Sequence, residues 1–479
     1  MSPFDGVRYA RLLGGLDIAE VRLIDLEFSG RLDSEYYRPH HLRAEALVRQ
    51  KGAEPMASVC DFVIGPFGSA FTVDNYCDDS TYRYIRGKDV KPMALVEGDN
   101  VYRPKVDFDR LSKYALRAGD VLVSVVGTLG NSALVEAQHL PAIFSCKSTA
   151  LRTRGIDPRY LISYLNCAYG RGLLTRKERG AVQKGLNLDD LKTLPIFIAG
   201  QSLQKRIADV YQLATAANAS SKRSIGVAEA HLLGSLGLEN WQAPNPLSYV
   251  RRSSEAFASG RLDAQHFQPR FRVLTDFIKA TGQGVRLADW LRENQRGKQP
   301  DYADTGLPVV NSKHVLRGEV RLDDDNRNAA FGDDDLLIHH GDVLMNGTGV
   351  GTIGRVAPYL HPETAIPDNH VTVLRPQKGL DAVYLSVFLN SMAGQWQVEQ
   401  RLRGSSGQIE LYPSDIAEFK VWIAPPAVQT DIRQAVETSY AKKQRAAKLL
   451  DAAKRAVEIA IEDSEAAALV YLTGVMSTH

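Results

Sequence analysis

The feature that most constrains the fold of this 479-residue chain is an internal repeat. Four pairs of segments occur in the same order in both copies: SGRLDSEYYRP at 29–39 with SGRLDAQHFQP at 259–269, GDVLVSVVGTLG at 119–130 with GDVLMNGTGVGTIG at 341–354, DPRYLISYLN at 157–166 with DAVYLSVFLN at 381–390, and FIAGQSLQKRI at 197–207 with WIAPPAVQTDI at 422–432. The period is several times the roughly 20–50 residues of a solenoid unit. The repeat therefore predicts a duplicated domain.

Each copy is predicted to begin with short β-strands and to end in one long helix. Runs such as DVLVSVV and HVTVLRP alternate with turns rich in Gly, Pro and Asp. Apolar residues then recur at helical spacing from Leu203 to about Leu233, and again from Val428 to about Ile461. Because each helix has a single apolar stripe, we expect the two helices to pack on each other as a spacer. Packing of each helix on its own domain is the alternative.

Composition narrows the class of protein only moderately. Hydrophobic residues make up 44% and charged residues 24%, as in soluble globular proteins, and a net charge of +2 neither favours nor excludes nucleic acid. The four cysteines lie far apart in sequence, so reduced thiols are expected and a zinc site is not. No long apolar run occurs, and a cytoplasmic location without membrane contact is expected.

A glycine motif at 349–354, GVGTIG, fits the dinucleotide-binding fingerprint G-x-G-x-x-G. The corresponding VVGTLG of copy one lacks the first glycine, and Pro358 and Pro362 stand where the fingerprint needs a helix. We therefore predict a strand, a glycine turn and a second strand; a dinucleotide-binding enzyme is the alternative. Neither a P-loop nor a G-x-S-x-G elbow occurs. A second region, at 415–420, contains two carboxylates and a lysine, which are expected at ordinary surface positions rather than in a nuclease site.

The repeat, its glycine motifs and its two helices resemble the specificity (S) subunits of type I restriction–modification systems over essentially the whole chain. The residues that carry the resemblance are Gly119, Asp120, Gly127, Thr128 and Gly130 in copy one and Gly341, Asp342, Gly351, Thr352 and Gly354 in copy two. At the helix entrances, LPIFIAGQSLQKRI and VWIAPPAVQTDI are similar to the family's proline-rich phrase ending in Gln and Ile. Copy one departs from that phrase at Ala199-Gly200.

The resemblance implies an α+β fold with two tandem mixed α/β target-recognition domains, each followed by a long helix. The two helices would pair as an antiparallel coiled-coil spacer with pseudo-two-fold symmetry. The predicted boundaries are 1–198 for target-recognition domain 1, 199–240 for spacer helix 1, 241–424 for target-recognition domain 2 and 425–479 for spacer helix 2.

The resemblance also implies a function. Each recognition domain would bind one half of a bipartite, asymmetric site in double-stranded DNA, and the spacer would set the gap. The chain would recruit two methyltransferase subunits and, in a restricting system, two restriction subunits, and would not itself be an enzyme. No cofactor or metal is then expected in this chain, because S-adenosylmethionine, ATP and Mg belong to the partner subunits. The alternatives are a specificity partner of a modification-only or other phage-defence methyltransferase, and a coiled-coil scaffold that binds protein only.

Candidate DNA-binding residues are polar and basic side chains on exposed loops, because such groups read base edges and hold phosphates. Two glycine-bearing loops fit this description: basic loop one, TRKERGAVQKGLN at 175–187, and basic loop two, QRLRGSSGQIE at 400–410. The predicted loop residues are Arg176, Lys177, Arg179, Gln183, Lys184, Asn187, Arg401, Arg403, Ser405, Ser406 and Gln408. The predicted residues elsewhere are Ser69, Arg86, Lys88, Arg296, Lys298 and Lys313. A solvated charged loop is the alternative for each basic loop; if the loops do read bases, their different sequences predict two different half-sites.

Overall fold

The computed structural model describes residues 9, 11–66, 76–77, 81–97, 100–180, 184–323, 325–332, 336–349, 351–404 and 409–477. The chain forms two compact units, one of residues 1–218 with 444–479 and one of residues 219–443. Each unit contains the globular part of one copy, called head one or head two below, and half of each of two long helices.

The elements of the first copy follow the predicted order of short strands and a long terminal helix. The helices are α1 (Leu23–Ser29), α2 (Pro39–Gln50), α3 (Lys105–Arg110), α4 (Pro158–Asn166), α5 (Ala168–Arg176), α6 (Leu188–Lys192) and α7 (Gln201–Leu236). The strands are β1 (Glu54–Pro55), β2 (Cys60–Ile64), β3 (Tyr82–Ile85), β4 (Val90–Lys91), β5 (Ala94–Leu95), β6 (Val101–Arg103), β7 (Val121–Ser124), β8 (Ser132–Leu134), β9 (Ala142–Phe144), β10 (Ser148–Thr153) and β11 (Pro195–Ile196).

Head one is built around an antiparallel four-stranded sheet in the order β2-β10-β7-β8. A three-stranded sheet, β6-β3-β9, contains the parallel pair of β3 and β9. Strand β7 is buried along its length and apolar from Val121 to Val123, because both of its faces are covered. Val121 and Val123 belong to the cluster that contains the helices, whereas Leu122 packs with residues from the three-stranded sheet.

The second copy repeats most of these elements in the same order; among the described residues it has no counterpart of α3, and it adds a helix after the long one. The helices are α8 (Ser253–Ser259), α9 (Pro269–Ala280), α10 (Ala382–Asn390), α11 (Met392–Arg401), α12 (Pro413–Ala417), α13 (Pro426–Glu462) and α14 (Glu465–Ser477). The strands are β12 (Gly284–Arg286), β13 (Leu291–Arg296), β14 (Tyr302–Ala303), β15 (Leu307–Val310), β16 (Asn328–Ala329), β17 (Val343–Asn346), β18 (Val356–Pro358), β19 (Ile366–Pro367), β20 (Val371–Pro376) and β21 (Lys420–Trp422).

Head two repeats the sheet plan of head one. Its four-stranded sheet has the order β13-β20-β17-β18, and its second sheet, β14-β16-β15-β19, contains the parallel pair of β15 and β19. Val343 and Met345 of β17 pack with the helices, whereas Leu344 packs in a separate cluster on the other face. The predicted α+β class and the predicted duplication of the recognition domain are therefore confirmed.

The glycine motif of copy two is a turn between two antiparallel strands. Strand β17 pairs with β18 with Leu344 opposite Ala357, and the motif joins them. Gly351 has a φ of +80°, in the left-handed region that favours glycine. Copy one has the same arrangement between β7 and β8. The prediction of strand, turn and strand is confirmed, and the helix that a dinucleotide-binding site requires does not follow the motif.

The Gly-Asp-Val-Leu motif carries a buried ion pair in both heads. Asp342 accepts two hydrogen bonds from the Arg375 guanidinium, at 2.8 and 2.9 Å, and one from the backbone N–H of His339. Asp120 accepts hydrogen bonds from Arg152 in the same way. The aspartate thus fastens the start of β7 or β17 to the neighbouring strand β10 or β20, which gives this motif a structural role in both heads.

The long helices pair through their opposite halves. In the first unit, Leu203, Ile207 and Val210 of α7 share a core with Leu449 and Val457 of α13. In the second unit, the end of α7 shares a core with the beginning of α13, and the hydroxyls of two buried serines, one from each helix, lie 2.8 Å apart. The first half of each helix therefore meets the second half of the other, as in the predicted antiparallel pair. The same cores include head residues, so packing on the partner helix and packing on the head occur together.

A buried glutamine fastens each long helix to its head. Gln429 accepts a hydrogen bond from the backbone N–H of Asp381 at 2.8 Å and donates to the carbonyls of Gly379 and Ala424. In copy one, Gln204 accepts from the N–H of Asp157 and donates to the carbonyl of Ala199. Asp157 and Asp381 are the N-caps of α4 and α10, so the glutamine connects two helix starts. This contact explains the Gln that both copies keep at the helix entrance.

The segment assigned to spacer helix 2, 425–479, contains two helices. Helix α13 ends at Glu462, and a separate helix, α14, begins at Glu465. The hydroxyl of Ser464 accepts a hydrogen bond from the N–H of Ala467 at 3.2 Å, so Ser464 acts as the cap of α14. Within the described part of the chain, no helix combines the length and apolarity needed to span a bilayer.

Candidate nucleic-acid interface

Basic loop one is closed at its base by Arg179. The backbone of Arg179 exchanges two hydrogen bonds with Gly185, at 2.9 and 2.8 Å, which brings the two ends of the loop together. The Arg179 guanidinium donates two hydrogen bonds to the buried carboxylate of Asp190, at 2.9 and 3.1 Å. Asn187, predicted as a DNA contact, caps α6 by accepting from the N–H of Asp190. The base of the loop is thus held by hydrogen bonds of both its main chain and its side chains.

Basic loop two has the same base with different residues around it. The backbone of Arg403 exchanges two hydrogen bonds with Glu410, at 2.9 and 2.8 Å. The Arg403 guanidinium donates two hydrogen bonds to Asp415, at 3.1 and 2.7 Å. Asp415 is buried and clamps this arginine, so the expectation that it lies at an ordinary surface position is wrong. Gly180 and Gly404 follow the clamped arginines with φ of +105° and +102°, a conformation that permits the same sharp exit from both bases.

The clamped arginines remain partly accessible. Arg179 keeps 47% and Arg403 keeps 50% of its side-chain area exposed, whereas Asp190 and Asp415 keep 9% and 10%. The hydrogen bonds to the aspartates hold the pKa of both guanidinium groups above its usual value, so their charge is permanent. Each base therefore presents a fixed, half-exposed positive charge, which suits a phosphate contact.

A segment that is identical in the two copies of the repeat lies beside each loop. We call residues 29–33 arm one and residues 259–263 arm two; both read SGRLD. The arginine of arm one donates to the carboxylate of Asp33 and, at 2.8 Å, to the carbonyl of Glu178. Clefts of about 640 Å³ in head one and about 550 Å³ in head two run between the arm and the loop. The interface is thus built twice from the same parts.

The glycine turns also touch the loop bases. Val126, beside the turn of copy one, forms a bridge with Gly185, and Thr348 of copy two forms one with Glu410. The Thr348 hydroxyl lies 2.7 Å from Nδ1 of His370. Glycine turn, loop base and arm therefore come together in each head, although they are far apart in sequence.

Two predicted loop arginines are directed into the protein. Arg176 is buried, forms an ion pair with Glu45 and lies over the ring of Tyr36. Arg401 lies over the ring of Phe419, 5.3 Å from its centroid, and desolvation lowers its pKa. These two guanidinium groups support the loop bases. Among the other loop candidates, Lys177 is half-buried and donates to Thr193, and Lys184 is exposed and lies 3.2 Å from a carboxylate oxygen of Glu178.

The predicted residues outside the loops lie in varied environments. Arg86 donates two hydrogen bonds to Asp89 and is half-buried, and Lys88, two residues on, is exposed. Arg296 donates to the carbonyl of Gly347 at 3.4 Å and to that of Leu411, which ties strand β13 to the base of basic loop two. Lys298 is exposed. The candidates Ser69, Gln183, Ser405, Ser406 and Gln408 lie outside the described residues.

One group of potential metal ligands lies in head two. Single atoms of His314, Asp323 and Asp325 all lie within 4.8 Å of one another. Asp325 forms an ion pair with Lys313, a predicted DNA contact, at 2.6 Å. His314 is buried and its Nδ1 lies 3.0 Å from the amide nitrogen of Asn326, which also donates to a backbone carbonyl. Lys313 and Asn326 thus occupy an oxygen of Asp325 and Nδ1 of His314, whereas the buried Nε2 of His314 meets no hydrogen-bond partner among the described residues.

Sequence reasoning missed the partners that fix the loops. These are Asp190 and Asp415, and the arginines of the two arms. The signal for the aspartates is their spacing, 11 residues after Arg179 and 12 residues after Arg403. The signal for the arms is their identity in the two copies.

Comparisons with known proteins point to solved structures only. No family model matches the chain, and no curated protein matches its sequence. The crystal structure of a type I restriction–modification S subunit from M. genitalium matches 88% of this chain and 95% of its own, with 12% identity and a TM-score of 0.35. The crystal structure of the HsdS subunit from Thermoanaerobacter tengcongensis matches 86% and 95%, with 15% identity and a TM-score of 0.26. A chain from a study of type I restriction–modification complex assembly and conformational transition matches 88% and 96%, with 14% identity and a TM-score of 0.27.

Proposed function

We propose that this chain is the DNA sequence-specificity subunit of a type I restriction–modification complex. Each head binds one half of a bipartite, asymmetric site, and basic loops one and two make the base contacts. The observation that carries the proposal is the equivalence of the loop bases combined with the difference of the loop sequences. Two loops closed by the same clamp but reading TRKERGAVQKGLN and QRLRGSSGQIE suit one task performed on two different sequences.

The chemistry of the interface suits double-stranded DNA. The exposed cations at the loop bases are held by hydrogen bonds and meet the backbone phosphates, which supply most of the affinity and make it depend on salt. The polar side chains of the loops meet base edges, which supply the specificity. This division of labour accounts for a common base and a variable loop.

The proposal also assigns partner subunits to the chain and places the catalytic reactions in those partners. The chain performs no reaction; two methyltransferase subunits that use S-adenosylmethionine, and two restriction subunits that use ATP and Mg, act on the DNA that it selects, in the cytoplasm. The pair of long helices sets the gap between the half-sites. A duplicated chain offers every partner two equivalent contacts, which fits two copies of each partner.

The test is a selection from a randomised duplex library. The full chain, co-expressed and purified with its methyltransferase subunits, is used to enrich bound duplexes at a stated salt concentration, and these are sequenced. The proposal predicts two short motifs separated by a fixed gap. Enrichment of no motif, or of a single uninterrupted one, would contradict it.

Loop exchange assigns each half-site to its head. The segment between Arg403 and Glu410 is transplanted between Arg179 and Gly185, where the same pair of backbone hydrogen bonds can close it. The half-site of head one is expected to change and that of head two to be retained. The control is re-insertion of the native segment through the same cloning junctions. A motif that is unaltered by the exchange would show that the basic loops do not read bases.

A further inference from the structure

We propose that the two arms are positioning elements that hold the basic loops in their DNA-reading orientation, with the arginine of each arm as the positioning residue. This inference rests on the proposed function. Arg31 fixes the loop of head one and Arg261 that of head two, and each arginine thereby determines how well its head discriminates its half-site from other sequences.

The two arms make equivalent contacts in the two heads. Arg31 donates two hydrogen bonds to Asp33, at 2.7 and 3.0 Å, and one to the carbonyl of Glu178 at 2.8 Å. Arg261 donates to Asp263 at 2.6 Å and to the carbonyl of Leu402 at 3.1 Å. In both heads, the accepting carbonyl belongs to the residue immediately before the clamped arginine of the loop.

The arm contacts the main chain of the loop and not a loop side chain. Glu178 and Leu402 differ in charge, size and polarity, yet both offer a carbonyl at the same place. A contact to the main chain leaves the loop free to change its sequence while its position is held. This property suits a protein whose heads have diverged in the sequence they read, and it explains why the arms stayed identical while the loops did not.

Each arm aspartate pre-organises its arginine. Asp33 accepts the N–H of Tyr36, and Asp263 accepts the N–H of His266, at 3.1 and 3.0 Å. Each aspartate is thereby the cap of a short helical turn, so its carboxylate is fixed before it meets the arginine. The arginine hydrogen bond holds the pKa of both carboxyls below its usual range, to about 2 for Asp263. The arm is therefore a rigid brace.

The loop base is held from two sides. The arm arginine reaches the carbonyl before Arg179 or Arg403, and the aspartate clamp described above reaches the guanidinium of that same residue. Loss of the arm arginine leaves two other contacts of the loop base in place: the hydrogen bonds to the aspartate, and the pair of backbone hydrogen bonds that closes the loop. The loop is then expected to keep its fold and its charge but to lose its fixed direction.

Arg22 of head one supplies a matched control. It is exposed, lies outside the arm and the loop, and donates two hydrogen bonds to Asp25, at 2.9 and 3.0 Å, as Arg31 does to Asp33. Arg22→Gln is therefore the same chemical change and loses the same kind of ion pair without touching the hydrogen bonds to the loop. A loss of discrimination that follows from the brace must appear in the arm variants and not in Arg22→Gln.

The experiment repeats the duplex selection with Arg31→Gln, Arg261→Gln, the control Arg22→Gln and the parent complex. In Arg31→Gln, the preference of head one for its half-site over random sequence is expected to fall at least about tenfold, the scale of one lost charge-assisted hydrogen bond. The half-site of head two is expected to stay unchanged. Arg261→Gln is expected to do the reverse, and Arg22→Gln to change neither half-site.

Other outcomes overturn the inference in distinguishable ways. Unchanged half-sites in both arm variants, or equal losses in both halves, would show that the arms do not position the loops. A parent complex that selects no bipartite motif would instead refute the proposed function. Thermal unfolding of each variant is measured alongside, and if Arg31→Gln does not fold, Arg31→Lys keeps the charge, lacks the planar fork and is judged by the same criteria.

Discussion

Replacement of Gln429 by alanine tests how the long helix is joined to head two. Gln429 is 5% exposed and makes three hydrogen bonds, with the N–H of Asp381 and the carbonyls of Gly379 and Ala424. Each buried hydrogen bond contributes about 1 kcal/mol, so the loss of all three is expected to cost about 3 kcal/mol. For a unit of 150–250 residues, this corresponds to a decrease of roughly 6–12 °C in the unfolding temperature.

The measurement is differential scanning calorimetry of the full chain, with Gln434→Ala as the control. Gln434 lies on the same helix, is exposed and undergoes the same chemical change. Its replacement is expected to leave the unfolding temperature unchanged or slightly higher, because alanine favours helix. The Gln204→Ala variant, which loses two hydrogen bonds, is expected to fall between the two.

A small difference in unfolding temperature between Gln429→Ala and its control would contradict this expectation. If Gln429→Ala unfolds within about 2 °C of Gln434→Ala, the three hydrogen bonds contribute no net stability, because even 1 kcal/mol shifts a unit of this size by about that amount. The glutamine would then have to be explained by something other than attachment of the helix to the head.

An exposed arginine, an ion pair of arm two and two helical glycines each permit a further test. Arg403→Ala removes one half-exposed charge, so the slope of log K against log salt for DNA binding is expected to fall by about 1; an unchanged slope would mean that this guanidinium meets no phosphate. The hydrogen bond from Arg261 lowers the pKa of Asp263 to about 2. The parent is therefore expected to be more stable than Asp263→Asn above about pH 4 and to lose this advantage as the pH falls towards 2. Urea-unfolding midpoints of the two proteins over this pH range measure the difference. Gly394→Ala is expected to destabilise head two, because the added Cβ would lie 2.3 Å from a backbone oxygen. Gly226→Ala, inside a helix and with no atom within 4 Å of the added Cβ, is expected to stabilise the protein by about 0.5–1 kcal/mol. Circular dichroism melts in which the two variants shift in the same direction would contradict this contrast.

Most of the architecture was predictable because it depends on local patterns. The apolar periodicity predicted helices at about 203–233 and 428–461, and the structure has them at Gln201–Leu236 and Pro426–Glu462. The interpretation of the glycine motif as a turn came from comparing the two copies, since a feature absent from one copy is not needed by the fold. The end of α13 was therefore predicted closely, but the separate helix α14 was not, because a serine cap in an otherwise helical segment gives only a weak signal.

The candidate interface was predictable as a region but not residue by residue. Basic loops one and two were identified from composition, which reports how many cations a segment has but not what each cation meets. Arg176 reaches Glu45, 131 residues earlier in the chain, and so it is buried, whereas Arg179, three residues on, is half-exposed. Nothing in the local sequence distinguishes these two arginines.

The sequence by itself determined that the protein is a duplicated α+β chain with two long helices, because repetition and periodicity are written in the order of residues. Only the tertiary structure decided which groups come together in the candidate interface of each head. It joins arm, glycine turn and basic loop, which are distant in sequence, through contacts such as Arg31 to the carbonyl of Glu178 and Arg261 to that of Leu402. Both accepting groups are backbone carbonyls, which every residue has, so no residue pattern could have revealed the contact before the chain was folded.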